Sequence, residues 1–212
     1  MSVRIAVLLS GRHGRGSNMA AIADACLSGQ ISGEVSLVIG NFSSSPALAR
    51  AAEMGLATTT IASGQLEDAY SRALLTALAD ARTELICLAG YMRKVPDAVV
   101  GAYSGRLMNI HAALLPAFGG QGMYGSHIHE AVLDYGAKVS GCTVHFVDEH
   151  YDNGPIICQS VVPVEEADTP ETLAARVLVA EHDTYPRAVA LYAAGRLTLD
   201  GRRVRIGPTP VN

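Results

Sequence analysis

Short apolar runs alternate with longer segments of helix-like composition through the first half of this chain. Residues 3–9 (Val-Arg-Ile-Ala-Val-Leu-Leu), 35–39, 57–61 and 85–88 are the apolar runs, and 18–27, 46–54 and 66–79 are the segments between them. A strand covered on both faces reads as an uninterrupted apolar run, whereas a helix packed on one side spaces its apolar residues by turns. The resulting β-α-β-α-β-α-β order predicts crossover units and parallel strands. Leu107-Met108-Asn109-Ile110-His111 continues as a further strand. The pattern then changes, because 139–147 and 156–164 are β-rich runs joined by a turn-rich segment, 148–155, that contains Asn153-Gly154-Pro155. A hairpin or ordered loop of this kind predicts an antiparallel C-terminal extension of the sheet. Residues 170–192 read as a long helix with Thr169 as N-cap, Gly195 past its end, and Pro186 expected to kink or divide it. No repeat, low-complexity stretch or linker interrupts the sequence. The expectation is a single α/β domain over 1–212, a Rossmann-like, mainly parallel sheet flanked by helices.

Composition narrows the function classes. With 212 residues, 49% of them hydrophobic, the chain can bury a sizeable core. A formal net charge of −4 argues against a protein that grips nucleic acid through a dominant basic surface. Met1-Ser2 runs straight into the first apolar run, which is too short to cross a membrane and lacks a small-residue cleavage pattern. Neither a membrane partner nor a targeting segment is therefore expected. Cys26, Cys87, Cys142 and Cys158 stand far apart, with no Cys-x-x-Cys pair or Cys/His cluster. That spacing points to no metal and no disulfide framework, and a reduced cytoplasm fits it best. A homodimer is allowed by these features without being specified by them.

Three places carry chemistry. On strand 107–111 successive side chains alternate, so Asn109 and His111 share a face while Met108 and Ile110 point into packing. A carboxamide and an imidazole on one face can donate two hydrogen bonds to a developing oxyanion, and Pro116 is expected to stop the strand close by. An acyl-transfer site at the open C-terminal end of the strand is the expectation. The second place, Ser10-Gly11-Arg12-His13-Gly14-Arg15-Gly16-Ser17-Asn18, lies between a strand and a helix. Glycines let the backbone approach an anion, and the amides at the helix start favour a phosphate. The loop has neither the Gly-Lys-Ser/Thr of a Walker loop nor dinucleotide Gly-x-Gly-x-x-Gly spacing, and the competing reading is a flexible loop with Ser17 or Asn18 capping a helix. In the third place, Asp148, Glu149 and Asp152 follow His145, and any one of these carboxylates could orient an imidazole. Spacing alone does not choose among them. His145 alternates onto one face of its strand and reads as a supporting group.

Leu88-Ala89-Gly90-Tyr91-Met92-Arg93, Asn109-Ile110-His111 with Leu114-Leu115-Pro116, Gly141-Cys142-Thr143-Val144-His145-Phe146-Val147 and Asp152-Asn153-Gly154-Pro155 together resemble the formyltetrahydrofolate-dependent formyltransferases. The similarity runs in order from about residue 3 to about residue 197. The Gly16-Ser17-Asn18 start and the short length resemble the phosphoribosylglycinamide formyltransferase branch of that family, which acts in purine synthesis. The resemblance implies transfer of the formyl group of 10-formyltetrahydrofolate to the amine of glycinamide ribonucleotide. It implies that Asn109, His111 and Asp152 are the catalytic trio, with charged His111 and the Asn109 amide holding the oxyanion and Asp152 keeping the ring protonated. It implies further that Gly16, Ser17 and Asn18 hold the substrate phosphate and that Glu181 contacts ribose hydroxyls. Met92, Arg93, Lys94, Val95 and Asp148 are implied at the folate, with Arg93 meeting its glutamate carboxylates. On this basis the N-terminal half, about 1–105, binds phosphate, and the C-terminal half, about 106–197, holds the folate and the catalytic groups.

Three departures from the family pattern stand out. The phosphate loop is longer than the usual Ser-Gly-x-Gly-Ser-Asn, which brings in Arg12, His13, Gly14 and Arg15 as added or replacing contacts. The segment from Phe118 to His129 is longer than in many members and is implied to border the substrate cleft. Lys94 stands where an apolar residue is common. The rival readings are a formyltetrahydrofolate hydrolase, a formyltransferase for another amine, and a non-catalytic nucleotide-binding module. The last explains the glycine loop but leaves Asn109, His111 and Asp152 without a reason to converge.

Overall fold

The structure is a computed structural model that describes residues 2–10, 14–62 and 64–208. Its elements follow one another as β1 (Val3–Leu9), α1 (Ser17–Leu27), β2 (Gly33–Gly40), α2 (Pro46–Glu53), β3 (Thr58–Thr60), α3 (Glu67–Asp80), β4 (Leu85–Leu88), α4 (Asp97–Ala102), β5 (Leu107–His111), α5 (Ser126–Tyr135), β6 (Val139–Phe146), β7 (Ile156–Pro163), α6 (Pro170–Ala193), β8 (Leu197–Asp200) and β9 (Arg203–Ile206). Seven strands form one sheet in the order β3-β2-β1-β4-β5-β6-β7, while β8 and β9 make a separate two-stranded sheet. Two compact units divide the chain, Met1–Asn109 and Ile110–Asn212.

In the first unit every strand pairing is parallel: β1 lies between β2 and β4, β3 adds outside β2, and β5 adds outside β4. The apolar runs explain the arrangement. Ile5 through Leu9 and all of β4 are buried, as strands covered by helices on both faces must be. The chain moves outward from β1 to β3 and then returns to β4 on the other side of β1. Such a reversal of strand order opens a crevice at the carboxyl ends of the strands, the usual position of a ligand site in open α/β sheets.

In the second unit β6 and β7 pair antiparallel, with the register shifting between Val144 and His145. The expected antiparallel extension is this pair. Helix α6 is not divided by Pro186, since it runs from Pro170 to Ala193 with that proline inside it. An interior proline costs about 3 kcal/mol. Here it is buried together with Tyr185, Ala188 and Val189, while Arg187 stays exposed, and that burial offsets the loss. Three elements have no counterpart in the sequence reading: α4, α5 and the β8–β9 hairpin. Among the described residues no helix is long and apolar enough to cross a membrane.

Candidate active site

In the first unit the glycine loop leads into α1 through Gly16, which has φ 64° and ψ 32°. A Cβ at that position would stand 2.9 Å from Ala47 Cβ, so both the backbone conformation and the close approach of α2 call for glycine. Gly16 is the N-cap and Ser17 is already helical, so the reading in which Ser17 or Asn18 is the N-cap of α1 is not what forms. The first-turn amides have no intrahelical acceptor, which suits an anion. Arg15 is exposed and its carbonyl accepts from Arg50 Nη1 at 3.4 Å. Gly11, Arg12 and His13 lie outside the described residues.

The segment after β4 holds the four residues expected near a folate. Met92 is 51% exposed and Val95 is buried. The Arg93 guanidinium lies over the Tyr70 ring, 4.0 Å from its centroid, and Lys94 Nζ pairs with Asp97 Oδ1 at 2.8 Å at the start of α4. Tyr70, which the sequence did not mark, is fully buried and joins three strand ends. Its hydroxyl bonds Asn41 Oδ1 at 2.9 Å and the Tyr91 hydroxyl at 2.6 Å, and Asn41 Nδ2 donates to Ser10 Oγ at 2.7 Å. Asn109, partly exposed, ends this unit two positions before His111 on β5.

In the second unit His111 is 5% exposed and both ring nitrogens are engaged. Nε2 lies 2.7 Å from the Phe118 carbonyl, which can only accept, so Nε2 carries a proton. Nδ1 faces Asp152 Oδ2 at 3.5 Å. Asp152 also accepts from the Gly120 amide at 2.9 Å and has His145 Nε2 3.7 Å from its other oxygen. The His145 Nδ1 donates to the Phe146 carbonyl at 2.8 Å, which turns Nε2 toward the acid. Of the three carboxylates that spacing left open, Asp152 is the one beside His111. Glu149 is exposed, and Asp148 is occupied within the loop, accepting from the His150 amide at 2.9 Å and from Asn153 Nδ2 at 2.7 Å.

Opposing influences set the charges. Burial pushes the Asp152 carboxyl up, but the adjacent His145 and His111 rings and the Gly120 amide outweigh it and hold the group below the ordinary carboxylate value. For His111 the balance goes the other way: burial lowers it more than Asp152 and the Phe118 carbonyl raise it. Asp152 does favour the charged ring, as expected, yet the net direction is toward the neutral form. Buried His129 on α5 is lowered too, by burial and then by His111.

Glu181 on α6 is 7% exposed, so it is not a solvated helix position. A further buried group, Thr143, shapes the turn after His111. Its hydroxyl donates to the Ala113 carbonyl at 2.7 Å and accepts from the Leu115 amide at 3.0 Å and from Gln159 Nε2 at 2.9 Å. Among the described residues no group of three or more His, Cys, Asp or Glu is arranged to hold a metal ion.

Comparison with known proteins adds a family to this geometry. The formyl transferase profile matches residues 3–189. Phosphoribosylglycinamide formyltransferase of Escherichia coli (strain K12) is 38% identical over 211 residues, 95% of this chain and 96% of that protein. Trifunctional purine biosynthetic protein adenosine-3 of Bos taurus is 40% identical over 92% of this chain, which spans only 19% of that longer protein. The crystal structure of glycinamide ribonucleotide transformylase 1 from Symbiobacterium toebii superposes with a TM-score of 0.91 at 42% identity, covering 98% of this chain and 95% of that one. With the profile spanning most of its length, the chain belongs to the formyl transferase family.

Proposed function

We propose that this protein transfers the formyl group of 10-formyltetrahydrofolate to the amine of glycinamide ribonucleotide. The observation that carries the reading is the buried His111–Asp152 pair, held by backbone groups of Phe118 and Gly120, in a chain of this family. The relatives named phosphoribosylglycinamide formyltransferase and glycinamide ribonucleotide transformylase support the choice of acceptor. Because Nε2 is committed to the Phe118 carbonyl, Nδ1 is the edge of His111 that faces the chemistry. When the amine adds to the formyl carbon, the formyl oxygen gains negative charge. The Asn109 amide and a protonated Nδ1 hold that oxygen, and loss of one such donor typically costs on the order of 100-fold in rate. Burial favours a neutral resting ring, so the proton that Nδ1 presents to the oxyanion is the one the attacking nitrogen sheds, passed by way of Asp152 and released again as the folate nitrogen departs. Ionised Asp152 accepts the proton that the attacking nitrogen sheds and returns one toward the departing folate nitrogen. Gly16, Ser17 and Asn18 hold the phosphate, Glu181 holds the ribose hydroxyls, and Met92 to Val95 with the 148–152 loop hold the folate.

The test is incubation with 10-formyltetrahydrofolate with and without glycinamide ribonucleotide, followed by folate absorbance. Loss of formyl-folate only when the acceptor is present is the expected result. Loss without acceptor marks a hydrolase, and no loss in either case marks a binding module; both overturn the proposal.

A further inference from the structure

We propose that Arg202, at the tip of the β8–β9 hairpin, is a positioning residue for Asp152, acting through the main chain of the loop that carries the acid. The hairpin is built to present it. Asp200 pairs with Arg203, so Gly201 and Arg202 form a two-residue tip, and Gly201 takes φ 58°, the left-handed value that favours glycine. From there Arg202 Nη2 donates to the Asn153 carbonyl at 2.6 Å. Asn153 is the residue directly after Asp152.

The loop from 148 to 155 needs such an anchor. Asp152 stands at φ 51°, a left-handed conformation uncommon outside glycine that aspartate tolerates better than most residues. At the neck of the loop the Phe146 amide donates to the Pro155 carbonyl at 2.9 Å, and a Cβ on Gly154 would stand 1.8 Å from the Phe146 carbonyl. Inside the loop Asp148 grips the Asn153 side chain and the His150 amide. Outside it, Arg202 grips the Asn153 main chain. Removal of the guanidinium leaves neck and interior intact and frees the one carbonyl beside Asp152.

His111 reports where Asp152 sits. The groups that face the ring or its partner acid are Asp152 from the loop, His145 from β6, His129 from α5, the Phe118 carbonyl and the Gly120 amide. Of these, Asp152 is the one placed by the loop that Arg202 holds.

The experiment uses the full chain as Arg202→Ala, Arg202→Lys, Asp152→Asn and the Arg202→Ala/Asp152→Asn double variant. The His111 imidazole is titrated by NMR, and steady-state formyl transfer is measured in parallel. In Arg202→Ala the His111 midpoint moves down, because a displaced carboxylate favours the imidazolium less. The kcat falls about tenfold while KM for the acceptor changes less than about twofold, as expected for a misplaced reacting group. Arg202→Lys recovers part of both changes. In the Asp152→Asn background, Arg202→Ala moves neither the midpoint nor the rate further. An unchanged His111 midpoint in Arg202→Ala, or losses that multiply in the double variant, overturns the proposal. Only the kinetic arm rests on the formyl-transfer reading: if the wild type transfers no formyl group, that reading fails, while the titration still decides the role of Arg202.

Discussion

Burial alone would push the Asp152 carboxyl up toward a protonated state with no charge to offer a neighbour. The Gly120 amide at 2.9 Å and the two imidazoles reverse that direction, so the acid stays ionised at neutral pH. For His111 burial prevails, and a neutral ring rests beside an ionised carboxylate. The two groups therefore have separate resting states, one ready to accept a proton and the other ready to gain charge when an oxyanion forms. Asparagine at 152 keeps an oxygen for the Gly120 amide but carries no charge. Asp152→Asn is expected to fold, with a thermal midpoint within a few degrees of wild type, and to lose about 100-fold or more in kcat. Kinetics beside a melting curve checks this, and near-normal turnover in a folded variant removes Asp152 from the trio.

Helix α6 shows how far an element is legible in its own residues. Thr169 closes a capping box: its hydroxyl accepts from the Thr172 amide at 3.4 Å, and the Thr172 hydroxyl accepts from the Thr169 amide at 2.9 Å. Thr169→Ala is expected to cost about 1 kcal/mol, a fall in melting temperature of roughly 2–4 °C, with the KM for the acceptor unaltered. No fall in the melting temperature would mean that packing, not the cap, sets this end of the helix. The strands were legible for an equally local reason: β4 is an apolar run, buried throughout, and β5 alternates Asn109 and His111 with apolar residues, and both keep the bounds read from the sequence. Helix α4 was not, being six residues long, and α5 opens at Gly125 without a conventional capping side chain. The β8–β9 turn did carry a signal, Asp200-Gly201 between alternating residues, which the sequence reading passed over. Along β5, strand alternation sufficed to put Asn109 and His111 on one face. The partners that hold the ring and the acid were hidden because they are a carbonyl of Phe118 and an amide of Gly120. Every residue owns those groups, and only the fold says which ones turn inward. The choice of Asp152 over Asp148 and Glu149 came from the family resemblance and not from spacing, because it depends on that backbone turn.

At the scale of the whole molecule, the buried histidines tie stability to pH. His111 and His129 are each 5% exposed, and both are held below the ordinary histidine value, by burial first in each case. The unfolded chain takes up these protons near about pH 6.5, whereas the folded chain takes them only at lower pH. Above about pH 7 neither state binds them, and their contribution to stability is fully present and flat. As pH falls through about 6.5 the unfolded state binds more protons than the folded one, so stability declines. Asp152 does not disturb this window, because its folded value lies below the unfolded carboxylate value and its stabilisation is lost only below about pH 4. Urea unfolding is therefore expected to give a lower midpoint at pH 5.5 than at pH 7.5. His129→Leu separates the two histidines: its Nδ1 is buried with no hydrogen-bond partner among the described residues, so an apolar side chain there loses no bond on that side and removes one of the two titrations. The variant should keep a midpoint close to that of wild type at pH 7.5 and lose less of it on acidification. Equal wild-type midpoints at the two pH values, or an unchanged acid loss in His129→Leu, would show that these rings accept protons as readily inside the fold as outside it.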